Sequence, residues 1–149
     1  MMPMPSGHLA AMPTVESVMT PCPHCVDADD SLLLARALMQ RYEVRHLPVI
    51  NAGTLVGVLT DRDIKRALDP DLGLPPLDEL FVRDLFVPDA YIVEAAEPLD
   101  EVLAHLSTTH IGSALITRDG HLVGIFTVTD ACRTFCQFLR ASVSSAARV

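Results

Sequence analysis

Two short motifs in the chain combine residue types that could bind a sugar and a phosphate. Residues 57–63 read GVLTDRD and residues 124–130 read GIFTVTD, so a threonine stands three residues before an aspartate in both. At the end of a strand, the threonine hydroxyl would lie at the rim of a cleft, and the aspartate would offer two acceptor oxygens to a vicinal diol such as that of ribose. The free N–H groups of a helix that starts there could receive a phosphate. The candidate pairs are Thr60 with Asp63, and Thr127 with Asp130.

The same spacing also has a purely structural interpretation. A threonine three residues before an acidic residue resembles a capping box, in which side chains and backbone satisfy each other's free groups at the start of a helix. The glycine that opens each motif could relieve close packing between strands. A helix cap and a ribose-binding pair can coexist at one place, so both interpretations stay open.

The cysteines offer a competing metal chemistry. Cys22 and Cys25 form a Cys-x-x-Cys pair, and Cys132 and Cys136 share a helical face, so four thiolates could form a zinc site if the pairs meet in space. The second spacing is not that of a zinc knuckle, however, and a free cysteine is commonly a small buried hydrophobe. We therefore expect no metal site.

No pattern typical of an enzyme is found. The six histidines fall in different predicted elements without a metal-ligand spacing. A nucleophile elbow, a P-loop and a Rossmann glycine pattern are absent from the sequence, and its carboxylates show no convincing catalytic pairing. The sequence predicts a protein that is not an enzyme and needs no cofactor.

The elements that must position the two motifs are themselves repeated. The glycines at 57 and 124 are 67 residues apart, and this offset superimposes residues 15–63 on residues 82–130 without an insertion. In each copy a short apolar lead-in precedes a strand, a helix, two strands joined by a turn, and a second helix. The sequence therefore predicts an α/β fold of two pseudo-symmetric β-α-β-β-α modules, packed through their sheets around a shared core.

The long helix of each copy has one apolar face. Residues at spacings of 3, 4 and 3 form this face, after the possible cap residues Asp29, Asp30 and Ser31. They are Leu32, Ala35, Met39 and Tyr42 in the first copy, and Leu99, Val102, Leu106 and Thr109 in the second.

The predicted segments are a disordered lead-in at 1–13, a first module at 14–70, a linker at 71–80, a second module at 81–140 and a flexible C-terminal tail at 141–149.

The net charge of −8 makes nucleic acid and anionic membrane surfaces poor partners, because the protein would repel phosphates at long range. The sequence has no apolar run near the roughly 20 residues that span a bilayer, and its first residues do not read as a signal peptide. We expect a soluble cytoplasmic protein with reduced cysteines.

Both copies resemble the CBS domain, the small module named after cystathionine β-synthase. The resemblance rests on SVMTP at 17–21, HLPVI at 46–50, GTLVGVLT at 53–60 and TDRD at 60–63, which occur in this order and recur in the second copy. It extends from about residue 15 to residue 138. Two linked modules of this kind are similar to the stand-alone pairs that include acetoin-utilisation-like regulators.

This resemblance implies two pseudo-equivalent clefts that bind adenosine-containing ligands such as AMP, ADP, ATP, NAD or S-adenosylmethionine. It implies that Thr60 and Asp63 hold the ribose in the first cleft, and that Thr127 and Asp130 do so in the second. The adenine would lie near Cys25, Val26, Leu47 and Pro48 in the first cleft, and near Ile92, Val93, Ala114 and Leu115 in the second. The pattern departs from the family at Leu115, where the first copy has Pro48.

The two implied clefts differ in charge. Arg45, His46 and Arg62 would stand near the phosphate in the first cleft, whereas Gly112, Ser113 and Thr129 take those places in the second. We expect a phosphorylated nucleotide to prefer the first cleft, and the second to be weaker, to take a less charged ligand or to stay empty. The alternative is that the arginines only solvate the surface.

One difference between the copies predicts a protein partner. Leu33, Leu34 and Leu38 on the first long helix align with polar residues on the second, and an apolar stripe of that width usually marks a buried contact. We expect a homodimer, as the resemblance also implies.

The predicted function is a regulatory sensor that binds an adenine nucleotide and acts on an unidentified protein. The alternative is a ligand-free interaction module whose Thr-x-x-Asp turns are only caps.

Overall fold

The computed structural model of the protein describes residues 11–21 and 23–146. The strands are β1 (Thr20–Pro21), β2 (Val26–Asp27), β3 (His46–Asn51), β4 (Thr54–Thr60), β5 (Ile92–Glu94), β6 (Ser113–Arg118) and β7 (His121–Thr127). The helices are α1 (Leu32–Tyr42), α2 (Asp61–Ala67), α3 (Leu99–Thr109) and α4 (Val128–Ala146). Short 3₁₀ turns lie at Val15–Ser17, Pro70–Leu72, Leu77–Glu79 and Val82–Asp84.

Two sheets with the same internal pairing confirm the predicted α/β fold. The first has the order β2-β3-β4 and the second has the order β5-β6-β7-β1. In each, a short strand runs parallel to the next strand, which then forms an antiparallel hairpin. The hairpin registers even shift at the same repeat position, between Val49 and Ile50 and between Ile116 and Thr117. The two modules are therefore pseudo-symmetric down to a single backbone irregularity.

The turn of each hairpin explains part of this symmetry. Ala52 and Gly53 have φ angles of 51° and 80°, and Asp119 and Gly120 have 53° and 80°. Two successive residues with positive φ match the right-handed twist of the strands that they join. The turn predicted between the two strands is therefore present in both copies, at the offset of the repeat.

Each module has its own apolar core, and a third cluster joins them. One face of α1 and one face of α3 cover the two sheets, with Leu32 and Val102 fully buried. Between the sheets, Val58 of β4 packs with Leu115 and Ile125 of the second sheet. This central cluster brings the ends of β4 and β7 close together.

The predicted helix faces are correct except at their last positions. Tyr42 is 38% exposed and stacks on His24, with 3.5 Å between the ring centroids, instead of packing in the core. Thr109 is exposed at the end of α3, where its hydroxyl donates to the His105 carbonyl at 2.6 Å. Both helices end at the next residue, Glu43 or His110, in a left-handed conformation.

The two apolar lead-ins are exchanged between the modules. Val15 is buried in the core of the second module, and Val82 is buried in the core of the first. β1 pairs with β7, and Val87 makes the equivalent bridge to Val58, with N–H···O distances of 2.9 and 3.2 Å. Each sheet is thus completed by a segment from the other copy.

Residues 141–146 and the linker differ from their predicted character. Helix α4 continues to Ala146, so residues 141–146 of the segment predicted as a flexible tail at 141–149 are helical. Leu77 and Leu80 of the predicted linker are buried in the first core, so this segment is more than a connection. The lead-in predicted at 1–13 lies outside the described residues except at 11–13. Among the described helices, none has the length and apolar character to cross a membrane.

Candidate ligand-binding cleft

Residues of both Thr-x-x-Asp turns line one cleft of about 900 Å³ between the modules, although Asp63 itself is not among the lining residues. The first module contributes the end of α1, the start of β3 and the β4–α2 junction. The second contributes the start of β6, the β7–α4 junction and Thr20 of β1. The turns meet here because β4 and β7 pack against each other across the pseudo-symmetry axis.

The glycine of each motif lets the exchanged lead-in pass close to the strand. A Cβ on Gly57 would collide with the carbonyl oxygen of Val87 and would lie 2.7 Å from the Phe86 ring. A Cβ on Gly124 would collide with the sulfur of Met19, which is the repeat equivalent of Phe86. The glycines therefore allow close packing, as the sequence suggested. The segment that packs on each of them is the exchanged lead-in, which the sequence did not identify.

The first turn is a capping box that leaves one carboxylate oxygen open. The N–H and hydroxyl of Thr60 donate to Oδ2 of Asp63 at 2.9 and 2.8 Å, and the N–H of Asp63 donates to the Thr60 hydroxyl at 3.2 Å. Asp63 is half-buried. Within residues 11–21 and 23–146, no protein group donates to its Oδ1.

The second turn has the same cap, but its carboxylate is fully engaged. Thr127 donates to Oδ2 of Asp130 through its N–H at 2.9 Å and its hydroxyl at 3.1 Å. The Thr20 hydroxyl donates to Oδ1 at 3.1 Å, and Nη1 of Arg133 donates to the same oxygen at 3.0 Å. Asp130 is only 3% exposed as a result. The cap interpretation is thus correct for both turns.

Cationic groups lie on both sides of the cleft. Arg45, Arg62 and Lys65 belong to the first side, where Lys65 pairs with Asp61 at 2.9 Å. Neither arginine forms a salt bridge with another described residue. On the second side the uncharged Gly112 and Thr129 stand at the places of the two arginines, but Arg133 also lines this side and pairs with Asp130 at 3.0 Å. Its repeat equivalent, Arg66, is not among the lining residues, so the repeat gave no signal for Arg133.

His46 connects the two sides of the cleft. A Cβ on Gly112 would lie 2.8 Å from Nε2 of His46, so the imidazole rests on the backbone of the other module. Burial lowers the pKa of His46 below its ordinary value of 6.5, and Arg45 and Arg62 lower it further while Asp63 and Asp61 oppose them. The imidazole is therefore neutral near pH 7.

The residues predicted to contact adenine do not line this cleft. Several are buried within the strands: Val26, Leu47, Pro48, Ala114 and Leu115. Ser113, predicted near the phosphate of the second cleft, is buried too. Cys25 and Ile92 are exposed elsewhere, and Val93 is half-buried. The cleft instead brings together the polar part of the predicted set, namely Arg45, His46, Thr60, Arg62, Thr127 and Asp130. Sequence reasoning missed Thr20, Lys65 and Arg133, which also line it.

The described cysteines do not assemble a metal centre. Cys25, Cys132 and Cys136 are free thiols. Over residues 11–21 and 23–146, no group of three or more His, Cys, Asp or Glu side chains is close enough to hold an ion. Cys22, the remaining member of the predicted alternative, lies outside the described residues.

Two pseudo-symmetric β-α-β-β-α modules with exchanged lead-ins define a tandem-domain protein, and comparison with known proteins gives its family. Residues 15–70 and 82–136 both match the CBS domain. The chain belongs to the CBS domain family and carries two copies of the domain.

Solved structures with the same fold include two that are informative. A protein described as an acetoin utilization protein (AcuB) of Vibrio cholerae is 26% identical, with a TM-score of 0.78 over 90% of this chain and 98% of that chain. CBSX2, solved in complex with AMP, is 30% identical, with a TM-score of 0.72 over 83% of this chain and 96% of that chain.

A match to a longer protein covers the same modules. A homoserine O-acetyltransferase of Methanocorpusculum labreanum is 31% identical over 124 residues, which are 81% of this chain. The chain spans only 24% of the length of that relative.

Proposed function

We propose that this CBS pair is a regulatory module that binds an adenine nucleotide in the cleft between its modules. The observation that carries the proposal is a cleft of about 900 Å³ lined by Arg45, Arg62 and Thr60, the residue that caps Asp63, whose Oδ1 has no donor among the described residues. The similarity to CBSX2, whose solved structure contains AMP, supports the choice of ligand. AMP is the first candidate, and ADP, ATP, NAD and S-adenosylmethionine are the others.

The ribose and the phosphate of the nucleotide would each meet a group suited to them. Oδ1 of Asp63 can accept a hydrogen bond from a ribose hydroxyl, and such bonds to a charged acceptor are among the stronger ones. Arg45 and Arg62 can form charge-assisted bonds to the phosphate, and neither must first break a salt bridge with a described residue. The neutral His46 can donate one N–H without adding charge.

The regulatory action follows from the position of the cleft. Its walls come from both modules, so a ligand in it contacts both at once. Such a ligand favours one relative arrangement of the modules by as much as its affinities for the two arrangements differ. We assign no catalytic step to the cleft, because both of its motif aspartates are already used as helix caps.

A titration with AMP and adenosine tests the proposal. Arg62→Ala is expected to weaken AMP binding by about tenfold, the equivalent of one charge-assisted bond, and to leave adenosine binding unchanged. Arg66→Ala is the matched control, since it removes the same charge from the same helix outside the cleft. Equal losses in the two variants would show that only the overall charge matters.

A thermal-shift screen separates this proposal from the ligand-free alternative. A ligand that binds the native state must raise the melting temperature. We expect a rise with at least one of AMP, ADP, ATP, NAD and S-adenosylmethionine at millimolar concentration. No rise with any of them would favour an interaction module whose turns are only caps.

We also propose a homodimer through α1. Leu33 and Leu34 are 43% and 45% exposed on this helix, whereas α3 has acidic residues at the equivalent places. Leu34→Glu should lower the mass measured by light scattering to that of a monomer. Leu103→Glu, at a leucine 38% exposed on α3, should leave the mass unchanged. An unchanged mass in both variants would exclude this interface.

The remaining proposals concern the cellular setting. The free thiols of Cys25, Cys132 and Cys136 fit a reducing compartment, and we propose the cytoplasm.

We propose that a regulated protein recognises the ligand-dependent arrangement of the modules. A pull-down with and without AMP, followed by mass spectrometry, would identify a partner whose capture depends on the nucleotide.

A further inference from the structure

The second Thr-x-x-Asp turn is already occupied by groups of the protein itself. Both oxygens of Asp130 accept hydrogen bonds, and Oδ1 is shared by the Thr20 hydroxyl and Arg133. We infer that the Thr20 hydroxyl takes the place that a ligand hydroxyl would need, and so closes this turn to nucleotides. The inference rests on the proposed function and deepens it, because it assigns the nucleotide to one of two equivalent turns.

Thr20 and Arg133 differ in how easily a ligand could displace them. Thr20 lies in β1 and is paired with Ile125 of β7, so the sheet fixes its position. The Arg133 side chain is 59% exposed and can turn toward a phosphate without disturbing the fold. Thr20 is therefore the group that decides whether Asp130 is accessible.

A lead-in also pairs with the strand that precedes the first turn, but it has no hydroxyl at the position equivalent to Thr20. Val87 stands at the repeat position of Thr20 and bridges to Val58 as Thr20 does to Ile125. Its side chain has the shape of threonine but cannot donate a hydrogen bond. Asp130 thus differs from Asp63 in two contacts to Oδ1 among the described residues: the Thr20 hydroxyl, which a methyl group of Val87 replaces, and the ion pair with Arg133.

Because valine and threonine have similar volumes, the two residues can be exchanged to test the inference. Isothermal titration with AMP should give one site per chain in the wild type and no binding in Asp63→Ala. Adding Thr20→Val to Asp63→Ala should restore one AMP per chain, because Oδ1 of Asp130 then has an accessible lone pair. In the reverse direction, Val87→Thr in the wild type should weaken AMP binding by about tenfold or more, the equivalent of one bond to a charged group.

The control keeps the hydroxyl. Thr20→Ser combined with Asp63→Ala should remain unable to bind AMP, and circular dichroism should show that all variants stay folded. The inference is wrong if Asp63→Ala still binds AMP, if the Thr20→Val double variant does not, or if Val87→Thr binds as the wild type does. In these cases AMP binding by the wild type leaves the proposed function in place. A wild-type protein that binds no AMP overturns the proposed function and this inference with it.

Discussion

At the scale of single residues, His46 is the group whose state depends most directly on both modules. Its imidazole belongs to β3, and it rests on the backbone of Gly112 in the other module. Burial is the main cause of its lowered pKa, with Arg45 and Arg62 acting in the same direction. Protonation of His46 in the folded protein would therefore add a positive charge to a cleft wall that already has Arg45, Arg62 and Lys65.

The lowered pKa of His46 predicts a loss of stability on mild acidification. As the pH falls below about 6.5, the unfolded chain binds a proton at this histidine before the folded protein does, so the free energy of unfolding decreases. The decrease ends once the pH is below the lowered pKa of the folded state. Urea unfolding of the wild type and of His46→Gln at about pH 7.5, 6.5 and 5.5 should show the wild type losing stability relative to the variant. A constant difference between the two would contradict the shift.

The two motif glycines predict unequal effects of substitution. Gly57→Ala forces a methyl group against the Val87 carbonyl, which is held in backbone hydrogen bonds and cannot retreat. We expect a loss of about 2–3 kcal/mol in the free energy of unfolding, as for other overpacked sites. Gly124→Ala meets only the flexible side chain of Met19, and its loss should be smaller. Denaturant unfolding measures both, and a larger loss for Gly124→Ala would refute this account.

Both turns could be located from the sequence, but the accessibility of their aspartates could not be predicted. A threonine and an aspartate at capping spacing identify both turns, because the contacts within each turn are local. The contact that closes the second turn joins Thr20 to Asp130, which are 110 residues apart. Only the packing of β1 on β7 brings them together. The adenine-contacting residues came from the family resemblance, and their role stays a prediction.

At the scale of elements, most of the structure follows from local chemistry. Helix α1 begins where the Ser31 hydroxyl accepts a hydrogen bond from the Leu34 N–H at 3.1 Å. It ends at Glu43, whose φ of 54° lies in the left-handed region. Periodicity and cap residues therefore predicted its bounds well. The helical continuation of α4 was missed because the short polar and small residues near 141–146 have no apolar period, although no Gly or Pro interrupts them.

The cap of α1 predicts a measurable contribution from one hydroxyl. Ser31→Ala removes the acceptor for the Leu34 N–H and should lower the free energy of unfolding by about 1 kcal/mol. Ser107→Ala is a suitable control, because that hydroxyl only donates to a carbonyl within α3 at an exposed position. Urea unfolding measures both variants. Equal effects would mean that the Ser31 cap contributes nothing specific.

At the scale of the whole molecule, the structural units differ from the sequence repeats. The first core includes Leu77, Leu80 and Val82, which follow the first copy in sequence, while the first lead-in belongs to the second core. The repeat itself was visible because its offset is constant. The exchange of the lead-ins was not visible in the sequence, because a lead-in has the same apolar pattern whichever module it covers.

The exchange predicts which part of the chain can fold alone. A fragment of residues 21–87 contains the first sheet together with the segment that completes it, whereas a fragment of residues 14–70 lacks Leu80 and Val82 of the same core. We expect the first fragment to be the more stable monomer. Circular dichroism with urea should show a cooperative transition at higher urea for 21–87. A more stable 14–70 fragment would mean that the lead-in contributes little.

The exchanged lead-ins also bear on how such a chain could arise. A single ancestral copy would have had no partner for its own lead-in, because that segment completes the core of another copy. Two identical chains could satisfy each other by mutual exchange, and fusion of their genes would convert this intermolecular pairing into the intramolecular one seen here. In a joined chain each copy can change independently, and Thr20 and Val87 are one pair of equivalent positions at which the copies differ.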